Sequence, residues 1–338
     1  MLFYAFECGG EGGKRYTASA ICACRREDND VTLAYLQSLA STWLSHLLFV
    51  FKANGSHKLQ INATPSTIAT PTLEDTAGRM EVGATENRID RFKTALLKRD
   101  GYRCVATGKI DVDHPGPLSP QEEEETIGTV GCHILRRAIA VFDRNKTYLS
   151  ALSTFDILRH YASMPMMTIE DIASIIDDPS NGMTLRGDAH KGFDNFAWSL
   201  RKVDNIPNTY NIIVHRPRGL GLGSVPTRRS DITFQDFSAR YTEASSPPRK
   251  KQRNTRSGDA GDEVQRREQG IALPNPLFIR IHSAIAGVLH MSGAGEEIDA
   301  AIRRAGGGGA PGAVLVGDDF ETLHLWESVR SMQQLAVN

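Results

Sequence analysis

Residues 181–194, NGMTLRGDAHKGFD, restrict the fold more than any other stretch of this chain. A short apolar run follows Asn181 and ends at the turn-forming pair Gly187 and Asp188. His190 and Asp194 come next, four residues apart, which is just over one turn of a helix. The stretch predicts a strand followed by a short helix with an imidazole and a carboxylate on one face. That spacing is typical of metal ligands, and it requires a partner elsewhere in the chain.

The rest of the pattern lies upstream. In GCHILRRA, His133 follows a glycine and a cysteine and precedes an isoleucine. The order His133, Asn181, His190, with RDGYRCVATG before it, resembles the HNH nuclease domain, most closely the variant found in many fungal proteins. That variant reads Cys-x-x-Thr-Gly, Ala-His-Ile, Asn-Gly and His-x-x-Phe-Asp, and this chain has CVATG, CHI, NG and HKGFD in the same order. The resemblance covers residues 100–200, and a stretch similar to the helical tail of the same domain extends it to about residue 303.

The resemblance implies a ββα-metal fold. In that fold His133 ends a strand, Asn181 begins the next one, and His190 lies on the helix that crosses them. The strand and helix predicted directly from residues 181–194 have the same order. We therefore expect an α+β protein with a ββα-metal core of the HNH type and α-helical segments on either side.

The predicted site follows from the chemistry of phosphodiester hydrolysis, which needs a nucleophilic water and a counter-charge for the developing negative oxygens. A neutral imidazole can accept the proton of the water, and we assign this general-base role to His133. His190 would hold a divalent cation (Mg, Mn or Zn), with Asp194 as the second ligand on the same helical face. Asn181 completes the catalytic set as a structural member, whose side-chain amide fixes the loop and the base by hydrogen bonds.

Cys132 departs from the usual pattern. HNH nucleases often carry Asp, Glu or His directly before the base as a metal ligand, whereas the fungal variant has alanine there. A thiolate ligand is soft and would favour zinc over magnesium. If Cys132 is only a small buried residue, the cation has two protein ligands, and water or phosphate must supply the rest. The second reading predicts a catalytically weakened protein, and both stay open.

Local patterns divide the chain into five parts. They are an N-terminal helical segment (1–53), a linker (54–87), the HNH nuclease domain (88–217), a disordered basic linker (218–272) and a C-terminal helical segment (273–338). Apolar periodicity or capping residues predict helices over 33–51, 88–101, 153–162, 168–177, 277–289 and 298–302. Strands are predicted at YRCVAT (102–107), FAWSLR and TYNIIVHR.

The charge of the chain is balanced overall, with 39 Lys and Arg against 40 Asp and Glu, so attraction to nucleic acid must come from local clusters. The stretch SSPPRKKQRNTR (245–256) is such a cluster, since it holds five basic residues and no acidic one. Within it, PPRKKQR (247–253) matches a nuclear-import signal and equally fits a phosphate-contacting arm. We expect a nuclear or cytoplasmic protein, with the nucleus favoured.

Five unevenly spaced cysteines favour free thiols in a reducing compartment. The most apolar run, TWLSHLLFVF (42–51), is too short to span a bilayer, so no membrane partner is expected. The patterns together predict a metal-dependent endonuclease acting on DNA or, less favoured, RNA. One alternative is a nucleic-acid-binding or regulatory module that keeps the fold without turnover. Another is a protein-interaction role for the amphipathic flanks.

Overall fold

The computed structural model of the protein describes residues 1–52, 86–136, 139, 148–165, 175–216, 231–241 and 270–306. Its helices and strands are α1 (Leu2–Ala23), α2 (Asn29–Trp43), α3 (Glu86–Arg99), α4 (Pro120–Glu124), β1 (Thr129–His133), α5 (Tyr148–Tyr161), β2 (Gly182–Arg186), α6 (Gly187–Asp194), β3 (Trp198–Lys202), β4 (Thr209–Val214), β5 (Asp231–Thr233), α7 (Pro276–Met291) and α8 (Ala294–Gly306). Helices and small antiparallel sheets thus form an α+β fold, as the sequence predicted.

Strands β1 and β2 pair in an antiparallel register that places His133 opposite Gly182. Helix α6 begins at the residue after β2, with no loop between them. The Asp188 carboxylate accepts the backbone N–H of Ala189 in the first turn of α6, where a negative charge also interacts favourably with the helix dipole. The order of strand, strand and helix is the ββα core predicted from the sequence.

Helix α3 packs across both strands of this pair. Its apolar face buries Phe92 and Leu96, and the chain leaves the helix at Gly101, where φ is +68°. Strand glycines allow the close approach of the helix, because a Cβ on Gly182 would lie 2.3 Å from Cζ of Phe92. The helix therefore rests almost directly on the strand backbone, with Phe92 beside the end of β1.

A second antiparallel sheet, in the order β3-β4-β5, follows the ββα core. Helix α7 packs on β3 and also contacts α1, which packs in turn on α5. Helix α1 is broken at Gly10, where φ is +60°, and α2 continues through a π-helical turn (Leu44–Leu48) into Phe49–Lys52. Helices from the two ends of the described chain therefore meet, and one of them, α7, covers the second sheet.

Two local predictions were wrong. Residues 102–107 were expected to form a strand, but they contribute only an isolated bridge between Arg103 and Ile110. The chain instead turns at Gly108, whose N–H donates to Cys104 O at 2.7 Å and whose φ is +74°. Residues 231–241 were expected to be part of a disordered linker (218–272), yet they form β5 and a 3₁₀ turn, Ser238–Tyr241. Pairing of β5 with β4 explains the difference, because periodicity is weak in so short a strand.

The predicted linker (54–87), the predicted helix over 168–177 and the basic stretch (247–253) lie wholly or mostly outside the described residues. Within the described part of the chain, no single helix is long and apolar enough to cross a membrane. Helix α7 and Ala294–Ala300 pass that length and composition test only as a pair, and the pair is bent by 81°.

Candidate active site

His133 is the last residue of β1, and its imidazole is held by two contacts. Its Nε2 lies 3.1 Å from Oδ1 of Asp177, which belongs to the loop before β2. Its ring stacks on the ring of Phe92, with centroids 4.2 Å apart and planes 9° apart. The side chain is 24% exposed, so the imidazole remains accessible from solvent.

A cluster of three donor atoms lies on the other face of β1. Sγ of Cys132, a ring nitrogen of His190 and a carboxylate oxygen of Asp194 all lie within 4.8 Å of one another. Because neighbouring residues of a strand point to opposite faces, Cys132 faces α6 while His133 faces α3. The end of β1 therefore carries a candidate base on one face and a candidate metal ligand on the other.

The cluster fits a divalent cation. Ligands about 2.0–2.3 Å from a tetrahedral ion lie roughly 3–4 Å from one another, so the observed spacing requires only small side-chain adjustments. Nε2 of His190 and Oδ2 of Asp194 are already 3.2 Å apart, with their side chains 32% and 30% exposed. A set of one sulfur, one nitrogen and one oxygen donor is better suited to zinc than to magnesium, which prefers oxygen ligands.

The ionisation of the cluster depends on its neighbours. Burial alone would raise the pKa of Asp194, but the hydrogen bond with His190 and the positive charge of Arg136 outweigh it, so the pKa lies below its ordinary value. The Arg136 guanidinium also donates a hydrogen bond to the backbone carbonyl of Asp194. Burial, reinforced by the negative charge of Asp194, raises the pKa of the Cys132 thiol well above its ordinary value. The carboxylate is thus ready to bind a cation, whereas the thiol must lose a proton when one binds.

Asn181 is fully buried and connects the loop before β2 to the chain that leaves β1. Its Oδ1 accepts the N–H of Leu135 at 2.8 Å, and its Nδ2 donates to the carbonyls of Leu135 and Ile176 at 2.9 and 2.8 Å. Its backbone carbonyl accepts the N–H of Ile134 at 2.8 Å. These bonds fix the position of the backbone directly after His133.

Residues 104–201 match the model of a family described as HNH endonuclease. The chain contains an HNH nuclease domain. No curated protein and no solved structure matched the chain significantly. The matched range begins at Cys104, includes β1, β2 and α6, and ends within β3.

The HNH domain indicates a nuclease-type function and binding of nucleic acid. Proteins of this kind usually use a divalent metal ion, and the only cluster of three or more His, Cys, Asp or Glu donors among the described residues is the one formed by Cys132, His190 and Asp194. This cluster lies inside the HNH domain, and Cys132 immediately precedes His133 in β1, with its side chain on the opposite face of the strand. The structure therefore brings Cys132, His190 and Asp194 together, whereas His133 lies on the other face of β1 and pairs with Asp177. Asn181 braces the chain that follows His133.

Sequence reasoning missed two residues beside the site. Asp177 is separated from His133 by 44 positions and belongs to no recognisable motif. Arg136 lies in GCHILRRA, but nothing in that pattern indicates that its guanidinium turns toward α6. Their roles depend on contacts between distant segments, so no spacing in the sequence could have identified them.

Proposed function

We propose that this protein is a metal-dependent endonuclease that hydrolyses phosphodiester bonds in DNA, with RNA as the less favoured substrate. The observation that carries the proposal is the cluster formed by Cys132, on the strand that ends in His133, with His190 and Asp194 of α6. A base and a cation site at the end of one strand are the two elements that phosphodiester hydrolysis requires. The HNH domain supports the reaction class.

His133 serves as the general base in this proposal. Its imidazole is partly exposed and held in one orientation by Asp177 and Phe92, so it is placed to accept a proton from a water molecule. Asn181 keeps the backbone after the base in position through three hydrogen bonds to Ile134 and Leu135. Lys191, exposed on α6 next to His190, is a suitable contact for a backbone phosphate.

His190 and Asp194 would hold the cation, with Cys132 as a third ligand. When bound, a divalent cation supplies positive charge that stabilises the negative oxygens of the phosphodiester. Zinc is the favoured ion because of the thiol, and magnesium and manganese are the alternatives.

The proposal is tested by incubating supercoiled plasmid with the purified protein and magnesium, manganese or zinc. We expect nicking that EDTA abolishes and that His133→Ala reduces by at least about 10²-fold, because the base is lost. His160→Ala is the matched control, since His160 also pairs with a carboxylate, Asp156, but lies on α5 away from the cluster. Cleavage that survives His133→Ala would show that the base is misassigned.

A second candidate function is nucleic-acid binding without turnover. The observation that favours it is the buried thiol of Cys132, whose raised pKa opposes metal binding by the thiolate. In that case the cation would have only two protein ligands and would bind weakly.

Cadmium binding separates the two candidates, because a cadmium–thiolate bond absorbs in the ultraviolet. We expect the band to appear on titration with cadmium and to disappear in Cys132→Ala, while Cys22→Ser, which removes an exposed thiol, retains it. No band, combined with salt-sensitive DNA binding and no cleavage, would support the binding module.

We further propose a nuclear or cytoplasmic location, with the nucleus favoured by PPRKKQR (247–253). A phosphate-contacting arm is an equal and compatible role for this stretch.

A further inference from the structure

The imidazole of His133 is oriented by residues outside the HNH sequence pattern. The contact with Asp177 fixes the rotation of the ring, and the stack on Phe92 fixes its plane. Asp177 is only 12% exposed, so water competes weakly for its carboxylate. In two other His–carboxylate pairs, His190 with Asp194 and His160 with Asp156, the partners lie on a single helix. The pair of His133 and Asp177 is instead built by the tertiary fold.

The hydrogen bond to Asp177 determines which ring nitrogen of His133 carries the proton. An ionised carboxylate accepts hydrogen bonds but cannot donate one, so Nε2 must be the N–H donor in the neutral ring. Nδ1 is then the unprotonated nitrogen with a free lone pair. Among the described residues, no hydrogen bond to Nδ1 of His133 occurs, which leaves it available to a water molecule.

The turn that follows Asp177 is tied by hydrogen bonds to the backbone that follows the base. The next residue, Asp178, caps the 3₁₀ turn Pro179–Asn181 by accepting the N–H of Ser180 at 2.8 Å. Asn181, at the end of that turn, binds the backbone of Ile134 and Leu135, which directly follow His133. The loop therefore delivers the carboxylate to the imidazole and is itself anchored one residue beyond that imidazole.

We infer that Asp177 is a positioning residue that holds His133 in the Nε2-protonated tautomer, so that Nδ1 is the atom that receives the proton of the attacking water. This inference rests on the proposed endonuclease function. In the step, an O–H bond of water breaks and its proton moves to Nδ1, while the oxygen forms a bond to phosphorus and the bond to the leaving oxygen breaks. The leaving oxygen keeps that electron pair, and the carboxylate of Asp177 stabilises the imidazolium that forms.

The tautomer is measured directly from the ring ¹⁵N chemical shifts of protein labelled with ¹⁵N-histidine, with His133→Ala assigning the signals. In the wild-type protein we expect the shifts of a protonated Nε2 and an unprotonated Nδ1 for His133. Asp177→Ala should shift both signals toward a mixture of tautomers. Asp156→Ala, which removes the partner of His160, should leave the His133 signals unchanged.

Nuclease kinetics provide the second readout. Asp177→Ala should lower kcat by about 10-fold or more with little change in KM, because it affects the base and not substrate binding. Asp177→Glu should recover part of the rate. The double variant His133→Ala, Asp177→Ala should be no slower than His133→Ala alone, since a positioning residue acts only through the base.

The inference is overturned if Asp177→Ala leaves the His133 tautomer unchanged, or if it slows the His133→Ala protein further. A wild-type protein that cuts no nucleic acid would count against the proposed function, and the ¹⁵N shifts would still decide whether Asp177 sets the tautomer. A tautomer change in folded Asp177→Ala protein supports the inference independently of any cleavage assay.

Discussion

Gly182 is the residue at which the packing of helix α3 is most sensitive to one added carbon. A Cβ at this position would lie 2.3 Å from Cζ of Phe92 and 2.9 Å from Cδ1 of Leu96. Gly182→Ala must therefore displace Phe92, whose ring stacks on His133. We expect a loss of about 1–3 kcal/mol in the free energy of unfolding, measured in urea, together with slower plasmid nicking.

Gly187→Ala is the matched control at the residue scale. Gly187 is the first residue of α6, and a Cβ there would meet no atom within 4 Å. Alanine favours the helix over glycine by roughly 0.5–1 kcal/mol, so stability should be unchanged or slightly higher. If Gly182→Ala and Gly187→Ala lost equal amounts of unfolding free energy, the overlap with Phe92 would not explain the instability of Gly182→Ala.

At the scale of elements, one buried ion pair joins three segments of the chain. The side chains of Arg99 and Asp100 are 0% and 2% exposed, and they bind each other at 2.8 Å. Arg99 also donates to the carbonyls of Gly182 and Ala272, while Asp100 accepts the N–H of Thr184 at 2.7 Å. The pair therefore connects the end of α3, strand β2 and the segment before α7.

Arg99→Met leaves the Asp100 carboxylate buried without its partner. We expect the variant to lose about 3–5 kcal/mol in the free energy of unfolding, since an uncompensated buried charge is far more costly than the loss of the pair itself. The double variant Arg99→Met, Asp100→Asn should recover part of this loss in the same urea titration.

Arg103→Met is the control for this pair. Arg103 lies 3.8 Å from Glu122, with both side chains nearly half exposed, so its removal should cost less than about 1 kcal/mol. If Arg99→Met and Arg103→Met lost similar amounts of unfolding free energy, burial of the Arg99–Asp100 pair would not be the cause of the larger loss expected for Arg99→Met.

At the scale of the whole molecule, helix α7 attaches to the HNH domain through contacts that include the buried His282. His282 is 3% exposed and stacks on Phe193 of α6 with centroids 3.7 Å apart. Burial lowers the pKa of His282 to about 3. Burial, with the neighbouring His290, lowers the pKa of His215 to about 4. The interface between α7 and the rest of the protein therefore favours the neutral form of the His282 and His215 imidazoles.

This interface predicts that the protein loses stability in mild acid. In the unfolded chain these histidines take up protons near pH ~6.5, whereas in the folded protein they remain neutral to about pH 4. The unfolded state thus binds more protons in this window, and the free energy of unfolding falls as the pH drops from about 6.5. Thermal unfolding between pH 7.5 and 4.5 measures the slope.

His282→Phe should weaken this pH dependence, because it retains an aromatic ring against Phe193 and removes a titrating group. His160→Phe, at an exposed position on α5, should not. An unchanged slope in His282→Phe would show that acid sensitivity arises elsewhere in the protein.

The elements that were predicted correctly are those whose pattern is local. The apolar spacing in 88–101 and 277–289 gave helices α3 and α7, and the run after Asn181 gave β2 followed by α6. The prediction failed at 102–107, because four apolar residues in six do not distinguish a strand from the turn closed by Gly108. It also failed for β5, which is a strand only because β4 lies beside it.

The sequence by itself determined that a strand is followed by a short helix over 181–194 and that His190 lies near Asp194, because residues four apart on a helix share one face whatever surrounds them. Only the tertiary structure decided that Sγ of Cys132 joins that pair and that Asp177 reaches His133. Those contacts join segments far apart in the chain, and their geometry depends on how β1, β2 and the preceding loop pack together. Helix and strand periodicity determine which side chains lie on the same face of an element. The packing of segments that are distant in sequence determines which side chains come into contact.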